Sequence, residues 1–206
     1  MHILMPSSSR RARMVLAGLV ALCGAAFLSA CSSSSPASQQ GGGELWQLVR
    51  GDGAMEVDPP QSAAELVERA PIVVTGAVDK VVPGPDDVYE QPEGKIVIPT
   101  LIVHVAVDKV LKGEWAKETI PVHMGSAVAF DPGPITYPKE SGIWFLAPSG
   151  IEDYYMTASV AGVWMPVDGG LSTIRDDVQS ENVIPDGVTT IGDAVDAVSD
   201  VIARQA

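Results

Sequence analysis

The sequence predicts a mainly β fold, a small antiparallel β-barrel or sandwich of OB-like type, with a short N-terminal helix and a C-terminal helix. Three observations lead to this prediction. Many short segments between residues 72 and 174 are apolar, either continuously or at alternate positions. Segments rich in Gly, Pro and Asp separate them. No helical periodicity is interleaved with these segments, which is typical of antiparallel sheets.

The predicted strands are rich in β-branched residues and end at turn-forming sequences. One of them carries Gly76 near its centre, and the longest ends beside the Lys-Gly pair at 112–113. We predict strands over residues 72–82, 96–111, 119–124, 142–147, 154–160, 162–167 and 171–174.

A short helix is predicted before the first strand. Ser62 and Glu65 have the spacing of a capping box, in which each side chain satisfies a free backbone N–H of the first turn. Pro71 is expected to end this helix. The preceding segment, residues 45–55, fits either a first edge strand or an apolar patch near a membrane, and we favour the strand.

The C-terminal helix is predicted over about residues 190–204, with Thr190 and Asp193 at its capped start. Its apolar positions recur at steps of four, three and four, which places them on one face. We expect this face to cover an open end or a side of the barrel. The positions are Ile191, Val195, Val198 and Ile202.

The first 30 residues have the pattern of a secretory signal peptide. Three arginines at positions 10, 11 and 13 precede an apolar run at residues 14–28. This run is shorter than the roughly 20 residues that a membrane-spanning helix needs. The sequence Ser9-Arg10-Arg11 is also similar to a twin-arginine export signal, so the export route stays open.

The segment Leu28-Ser29-Ala30-Cys31 closely resembles the bacterial lipobox, in which the signal peptide is removed just before a lipid-modified cysteine. The resemblance implies that Cys31 becomes the diacylated first residue of the mature chain, anchored on the extracytoplasmic face of the cell membrane. Two acyl chains give a stable anchor, whereas one gives a marginal anchor. Cys23 follows the bulky Leu22 and is expected to leave with the signal peptide.

The mature chain is expected to consist of a flexible Ser/Gly tether, residues 31–44, and one β-rich domain, residues 45–206. A tether of this composition has a mean reach of about 20 Å. No cysteine follows Cys31, so the domain is predicted to depend on its apolar core rather than on disulfides.

The charge balance excludes several partners. The chain has 13 Lys and Arg against 26 Asp and Glu, a net charge of −13, and the signal peptide removes three arginines but no acidic residue. Nucleic acids and anionic lipid surfaces need clustered basic residues. We therefore predict no nucleic-acid partner and no electrostatic adhesion to the membrane, only the covalent anchor.

Residues 64–174 resemble a domain that recurs in secreted bacterial proteins of uncharacterised function. The resemblance rests on the short helix, the strand with Gly76, the Leu-Lys-Gly end of the long strand at 111–113, and the late aromatic segments SGIWFLAP and AGVWMPVDGG. The same layout is distantly similar to the OB-like barrels of netrin-like domains and metalloproteinase inhibitors. Those inhibitors act through an N-terminal cysteine whose free amine and carbonyl reach a zinc ion, and disulfides hold it in place. Cys31 is expected to be lipidated, so inhibition is not implied here.

Three aromatic residues are candidate ligand-binding residues. Trp144, Tyr155 and Trp164 lie on predicted strands near the end of the domain. If they share an uncovered face, they form a rigid amphipathic platform suited to a peptide or a sugar. The alternative is that the C-terminal helix or a second sheet buries them.

Weaker candidates for chemistry lie on the polar sides of two strands and in acidic turns. His104, Asp108 and His123 would converge as a metal site or acid–base pair if their strands are neighbours. The acidic clusters have no EF-hand spacing, although carboxylates are suitable calcium ligands. These clusters are Asp86-Asp87 with Glu90, Glu152-Asp153 and Asp176-Asp177.

The interpretation that we favour is a non-catalytic binding or interaction module with a protein or glycan partner in the envelope. No serine-nucleophile motif occurs, and no catalytic residue, cofactor or metal is predicted. The alternatives are an enzyme that acts on envelope polymers and a carrier of a small ligand or metal.

Overall fold

The computed structural model describes residues 43–50, 56, 58–126, 135–174 and 183–206. The predicted signal peptide, Cys31 and most of the predicted tether lie outside these residues. Within the described part of the chain, no helix is both long enough and apolar enough to cross a membrane.

The described elements are three helices and nine strands. In chain order they are α1 (Gly43–Arg50), α2 (Ala63–Arg69), β1 (Ile72–Pro83), β2 (Asp87–Gln91), β3 (Gly94–Ile98), β4 (Thr100–Lys112), β5 (Thr119–Gly125), β6 (Gly142–Pro148), β7 (Tyr155–Thr157), β8 (Val163–Val167), β9 (Gly170–Thr173) and α3 (Ile191–Gln205).

Five strands close a barrel in the order β1-β4-β5-β7-β6, with β6 returning to β1. All of these pairings are antiparallel except β5 with β7, which meet in parallel where Val122 faces Tyr155. Strands β8 and β9 extend the sheet from β6. The predicted fold class, a small OB-like β-barrel with a C-terminal helix, is confirmed.

The barrel interior is a continuous apolar core. Alternate residues of β4 and β5 point inward, as their sequence pattern predicts. Trp144 of β6 is fully buried there, and its indole N–H donates a 2.9 Å hydrogen bond to the carbonyl of Gly76. The inward residues of β4 and β5 are Leu101, Val103, Val105, Ile120, Val122 and Met124.

Helix α1 corrects the prediction of a strand over residues 45–55. Residues 43–50 are helical, which includes the last two residues of the predicted tether, and residues 51–55 lie outside the described part of the chain. Leu45, Trp46 and Val49 share one helical face and join the barrel core. Because one turn of helix buries all three side chains, helix is favoured over an edge strand.

A loop between β5 and β6 holds α1 at the barrel. The backbone N–H of Leu45 donates a 3.1 Å hydrogen bond to the carbonyl of Thr136, and the Glu44 carboxylate accepts one of 3.1 Å from the Thr136 backbone N–H. Inside the barrel, the ring of Trp46 lies 6.0 Å from that of Trp144. The helix therefore contributes an aromatic side chain to the barrel interior while the Thr136 contacts hold its first turn.

The predicted strand at 96–111 is divided in two at Pro99. Because proline has no backbone N–H, it interrupts the hydrogen-bond ladder. The part before it becomes β3 and pairs with β2, a strand that the turn-rich sequence at 83–87 did not predict. Strand β7 is also shorter than the predicted segment 154–160.

Helices α2 and α3 lie over the outer face of the barrel. Val73 of β1 and Phe145 of β6 point outward into a second core with Leu66 of α2 and Val198 of α3. Both helices begin with predicted caps: Ser62 accepts from the Glu65 backbone N–H, and a complete capping box forms at Thr190. The C-terminal helix therefore covers a side of the barrel, one of the two predicted placements.

We predict that Gly76→Ala destabilises the barrel by about 1–3 kcal/mol, the usual cost of overpacking. A Cβ at this position would lie 2.2 Å from the carbonyl oxygen of Ala106 in the neighbouring strand, which is a backbone atom with little freedom to move. Urea unfolding followed by circular dichroism measures the change in the free energy of unfolding.

Gly192→Ala is the matched control. Its added Cβ would meet only the Thr190 hydroxyl at 3.6 Å, an ordinary contact, within α3. We expect a gain of about 0.5–1 kcal/mol, because alanine loses less entropy than glycine in a helix. Equal effects of the two substitutions would contradict the argument.

Candidate functional site

Two of the three predicted platform residues lie in separate cores. Trp144 points into the barrel, whereas Trp164 of β8 points into the outer core, where its ring lies 4.9 Å from that of Phe145. Both are fully buried. Trp144, Tyr155 and Trp164 therefore share no exposed face, and the platform hypothesis is wrong. The alternative of burial holds for the two tryptophans, with α1 packed in the core of Trp144 and α2 and α3 in that of Trp164.

Tyr155 remains partly exposed and has a different aromatic partner. It begins β7 and meets Trp115 in an edge-to-face contact, with ring centroids 5.4 Å apart at 89°. Trp115 belongs to the connection between β4 and β5, and it is also partly exposed. Edge-to-face aromatic pairs hold both rings in a fixed orientation.

These two rings line a groove of about 480 Å³ at the surface. We call it the aromatic groove. Its other sides are the turn between β6 and β7 and the side chain of Lys117, whose Nζ lies 5.6 Å from the centre of the Trp115 ring. The lining residues are Trp115, Lys117, Pro148, Gly150, Ile151, Glu152, Asp153, Tyr154 and Tyr155.

The turn at one side of the groove is held by its own hydrogen bonds. The backbone N–H of Ser149 donates to the Tyr154 carbonyl at 3.1 Å, and the Ser149 hydroxyl accepts from the Ile151 backbone N–H at 3.2 Å. Gly150 and Asp153 have φ angles of 83° and 69°. Asp is among the residues that tolerate this left-handed conformation, which fixes the Glu152-Asp153 pair at the rim.

The groove combines apolar ring surfaces with hydrogen-bonding groups. Glu152 and Asp153 are exposed and present carboxylate oxygens as acceptors. The indole nitrogen of Trp115 is itself buried and has no hydrogen-bond partner among the described residues, so it is not one of the groove's exposed polar groups. Aromatic faces beside acceptors suit a ligand that is apolar on one side and rich in hydroxyls on another.

The structure does not bring the predicted histidine cluster together. Strands β4 and β5 are neighbours, as that hypothesis required. However, His123 lies against Pro85 and Asp87, with Nε2 3.8 Å from the Asp87 carboxylate, and Asp108 accepts a hydrogen bond from Ser141. Within residues that the structure describes, no three potential metal ligands are grouped.

The acidic turns that were candidates for calcium binding are also not assembled into a metal site in the described residues. Asp87 faces His123, and Glu90 lies 3.1 Å from the ammonium group of Lys95. The pair Asp176-Asp177 lies outside the described residues. Glu152-Asp153 forms part of the rim of the aromatic groove.

His104 has a pKa below its ordinary value of 6.5. Partial burial is the main cause, because it disfavours the charged imidazolium; the positive charge of Lys80 adds to the effect, and Asp79 opposes it. His104 is therefore more readily protonated in the unfolded chain than in the folded protein.

Trp115 is the residue of the groove that sequence reasoning missed. It lies in the charged connection Lys112 to Thr119, where no strand or helix periodicity marks a functional face. A tryptophan in a polar turn was the only available signal. Its proximity to Tyr155 depends on the pairing of β5 with β7, which no local pattern predicts.

No protein-family model matches the chain, and neither does any curated protein.

We predict that the folded protein loses stability as the pH falls below about 6.5, the ordinary histidine pKa. The unfolded chain then binds a proton at His104 that the folded protein resists, and the loss is complete once the pH is below the folded-state pKa. Thermal unfolding of wild type and His104→Gln between pH 8 and pH 5 measures the difference. An equal decline in wild type and His104→Gln would refute the assignment.

Proposed function

We propose that this protein is a lipid-anchored extracytoplasmic binding module without catalytic activity. Cys31 holds the chain on the outer face of the cell membrane, and the following Ser/Gly segment spaces the barrel from the lipid. The aromatic groove binds a neutral glycan of the envelope. The Trp115–Tyr155 pair is the observation that supports the glycan-binding part of this proposal.

The N-terminal sequence supports the anchor. A basic start, a short apolar run and Leu28-Ser29-Ala30-Cys31 follow one another in the order that lipoprotein export and modification require. The excess of acidic residues gives the chain no electrostatic attraction to anionic lipid. We therefore attribute membrane attachment to a covalent lipid, because the charge of the chain does not provide it.

The geometry of the groove supports a glycan ligand. Sugar rings have apolar faces that pack on aromatic rings, and their hydroxyls donate to carboxylates such as Glu152 and Asp153. In OB barrels, the loop between the fourth and fifth barrel strands contributes to oligosaccharide binding. Here that loop is the turn between β6 and β7, which lines the groove.

The acidic rim favours a neutral glycan over an anionic one. Glu152 and Asp153 are exposed at the groove, and Lys117 is the single basic residue that lines it. Anionic polymers would meet repulsion from the rim and from the excess negative charge of the chain.

The same exposure argues against glycoside hydrolysis. Catalytic hydrolysis of this kind needs one carboxyl group kept protonated by an apolar environment and a second one facing it across the bond. The adjacent Glu152 and Asp153 are both solvent-exposed and lie on one turn. Binding without cleavage is therefore the function that fits these groups.

We expect Trp115→Ala to weaken oligosaccharide binding at least tenfold, equivalent to about 1.4 kcal/mol, because it removes one stacking surface. The probe is chitotetraose, a neutral oligosaccharide, titrated into the purified lipidated protein in detergent by calorimetry. Met156→Ala is the matched control, since Met156 is exposed on β7 beside Tyr155 but does not line the groove.

Two results would refute the glycan proposal. One is the absence of chitotetraose binding at millimolar concentration, and the other is equal affinity of wild type and Trp115→Ala. Thermal unfolding of each variant verifies that it is folded. Tetragalacturonate, an anionic oligosaccharide of equal length, should bind more weakly than chitotetraose.

We expect Cys31→Ser to abolish incorporation of an alkyne-labelled fatty acid and to release the protein from the membrane fraction. Cys23→Ser should retain both the label and the membrane fraction, because Cys23 leaves with the signal peptide. Labelled Cys31→Ser protein would refute the anchor, and this outcome is independent of glycan binding.

A further inference from the structure

The hairpin formed by β2 and β3 is a separate two-stranded sheet. Its strands pair with each other and with no other strand of the described chain. It is inserted between the barrel strands β1 and β4. Isolated two-stranded hairpins are marginally stable in water, and their unpaired edges are available to a further strand.

Four large apolar side chains of this hairpin are exposed. Val88, Tyr89, Ile96 and Val97 have exposed fractions of 52%, 51%, 46% and 52%. Among the described residues, only Ile151 and Met156 are other large hydrophobic side chains with comparable exposure. Scattered exposed apolar residues are normal, whereas a group of four on one element marks an interaction surface.

The strand register places apolar residues on both faces of the hairpin. Val88 lies opposite Val97, and Tyr89 lies opposite Ile96. Because successive residues of a strand point to opposite faces, one face carries the valine pair and the other carries Tyr89 with Ile96. An added strand, whose own side chains alternate, would cover parts of both faces at once.

The base of the hairpin is fixed to the barrel. The backbone N–H of Gly84 donates to the Thr100 carbonyl at 2.9 Å, and the Thr100 hydroxyl donates to the Pro85 carbonyl at 2.7 Å. His123 also lies against Pro85 and Asp87. A partner would therefore meet an element of defined position.

The charges on the hairpin indicate which kind of partner can bind to it. The segment 84–98 carries four carboxylates against one basic residue, Lys95, and its turn at 91–95 is polar. Lys95 pairs with Glu90 and His123 lies near Asp87, so the excess negative charge is at Asp86 near the base and Glu93 at the turn. A second copy would bring like charges together, and a bilayer would have to accept the charged turn. A basic polypeptide instead complements the carboxylates.

We propose that the β2–β3 hairpin is a docking site for an extended, basic segment of a partner protein, which adds to the hairpin as a third strand. The segment has β-branched apolar residues at its centre, which cover the exposed side chains, and Lys or Arg residues at its ends, which face the carboxylates. Main-chain hydrogen bonds along the open edge provide affinity, and the apolar side chains provide specificity. This surface is distinct from the aromatic groove.

The test uses a short fluorescent peptide with a β-branched centre and lysines at both ends, bound to the purified full-length protein in detergent and measured by anisotropy. We expect binding that weakens at least tenfold in the Val88→Ser, Val97→Ser double variant. Met156→Ser is the matched control, because it removes an exposed apolar side chain elsewhere. Both valines are exposed, so the variants should keep the wild-type melting temperature.

Two altered peptides separate strand addition from simple charge attraction. A peptide with N-methylated backbone amides at alternate positions keeps its side chains but cannot pair as a strand, and a peptide with glutamates for lysines reverses the charge. We expect each to bind at least tenfold more weakly. Equal binding of the N-methylated peptide, equal binding by the double variant, or no binding of the original peptide at millimolar concentration would overturn the proposal.

Other occupants give distinct results. Sedimentation that shows self-association, lost in the double variant, would replace the partner segment with a second copy. Retention of the non-lipidated Cys31→Ser protein on neutral phosphatidylcholine vesicles, lost when the two valines are also changed, would replace it with a lipid surface.

Discussion

The barrel depends on β1, a single strand that pairs along one edge with β4 and along the other with β6. Both pairings meet at Gly76, which faces Val107 on one side and Gly142 on the other. A Cβ on Gly76 would strike the backbone of β4, and one on Gly142 would strike Met165 and the carbonyl of Trp164. Gly76 therefore lets β4 approach β1 closely within the barrel wall, and Gly142 lets β8 pack closely against β6.

Closure at this point also determines where the protein can bind other molecules. The Gly76 carbonyl accepts the hydrogen bond from Trp144, and that indole, together with Trp46 of α1, occupies the interior. The two surfaces that we propose for binding consequently lie on the outside of the barrel. The hairpin comes just before the start of β4, a strand of 13 residues, and Trp115 of the aromatic groove comes just after its end. His123 lies between them, against Pro85 and Asp87 at the base of the hairpin and with its ring 6.4 Å from that of Tyr154 at the groove.

Local patterns predicted the strands more accurately than the site. Alternation in β4 and β5 identified their inward residues, because burial on one face of a strand leaves a period of two. Whether Trp144 and Trp164 are buried depends on which helices cover which face of the sheet. Contacts between residues far apart in the sequence decide this. Helix α1 was missed because its apolar face spans about one turn, too short to distinguish helix from strand. Trp115 was missed because its role arises from the pairing of β5 with β7.

Helix α1 gives the domain a particular response to mechanical load. Leu45 and Trp46 are buried in the barrel interior within three residues of the start of the helix. Tension transmitted from an anchored N-terminus would act directly on these side chains, and their removal from the core costs roughly 1.5–3 kcal/mol each. Pulling on the N-terminal end would therefore begin by unseating α1 and opening the barrel interior, while the outer core beneath α2 and α3 stays intact.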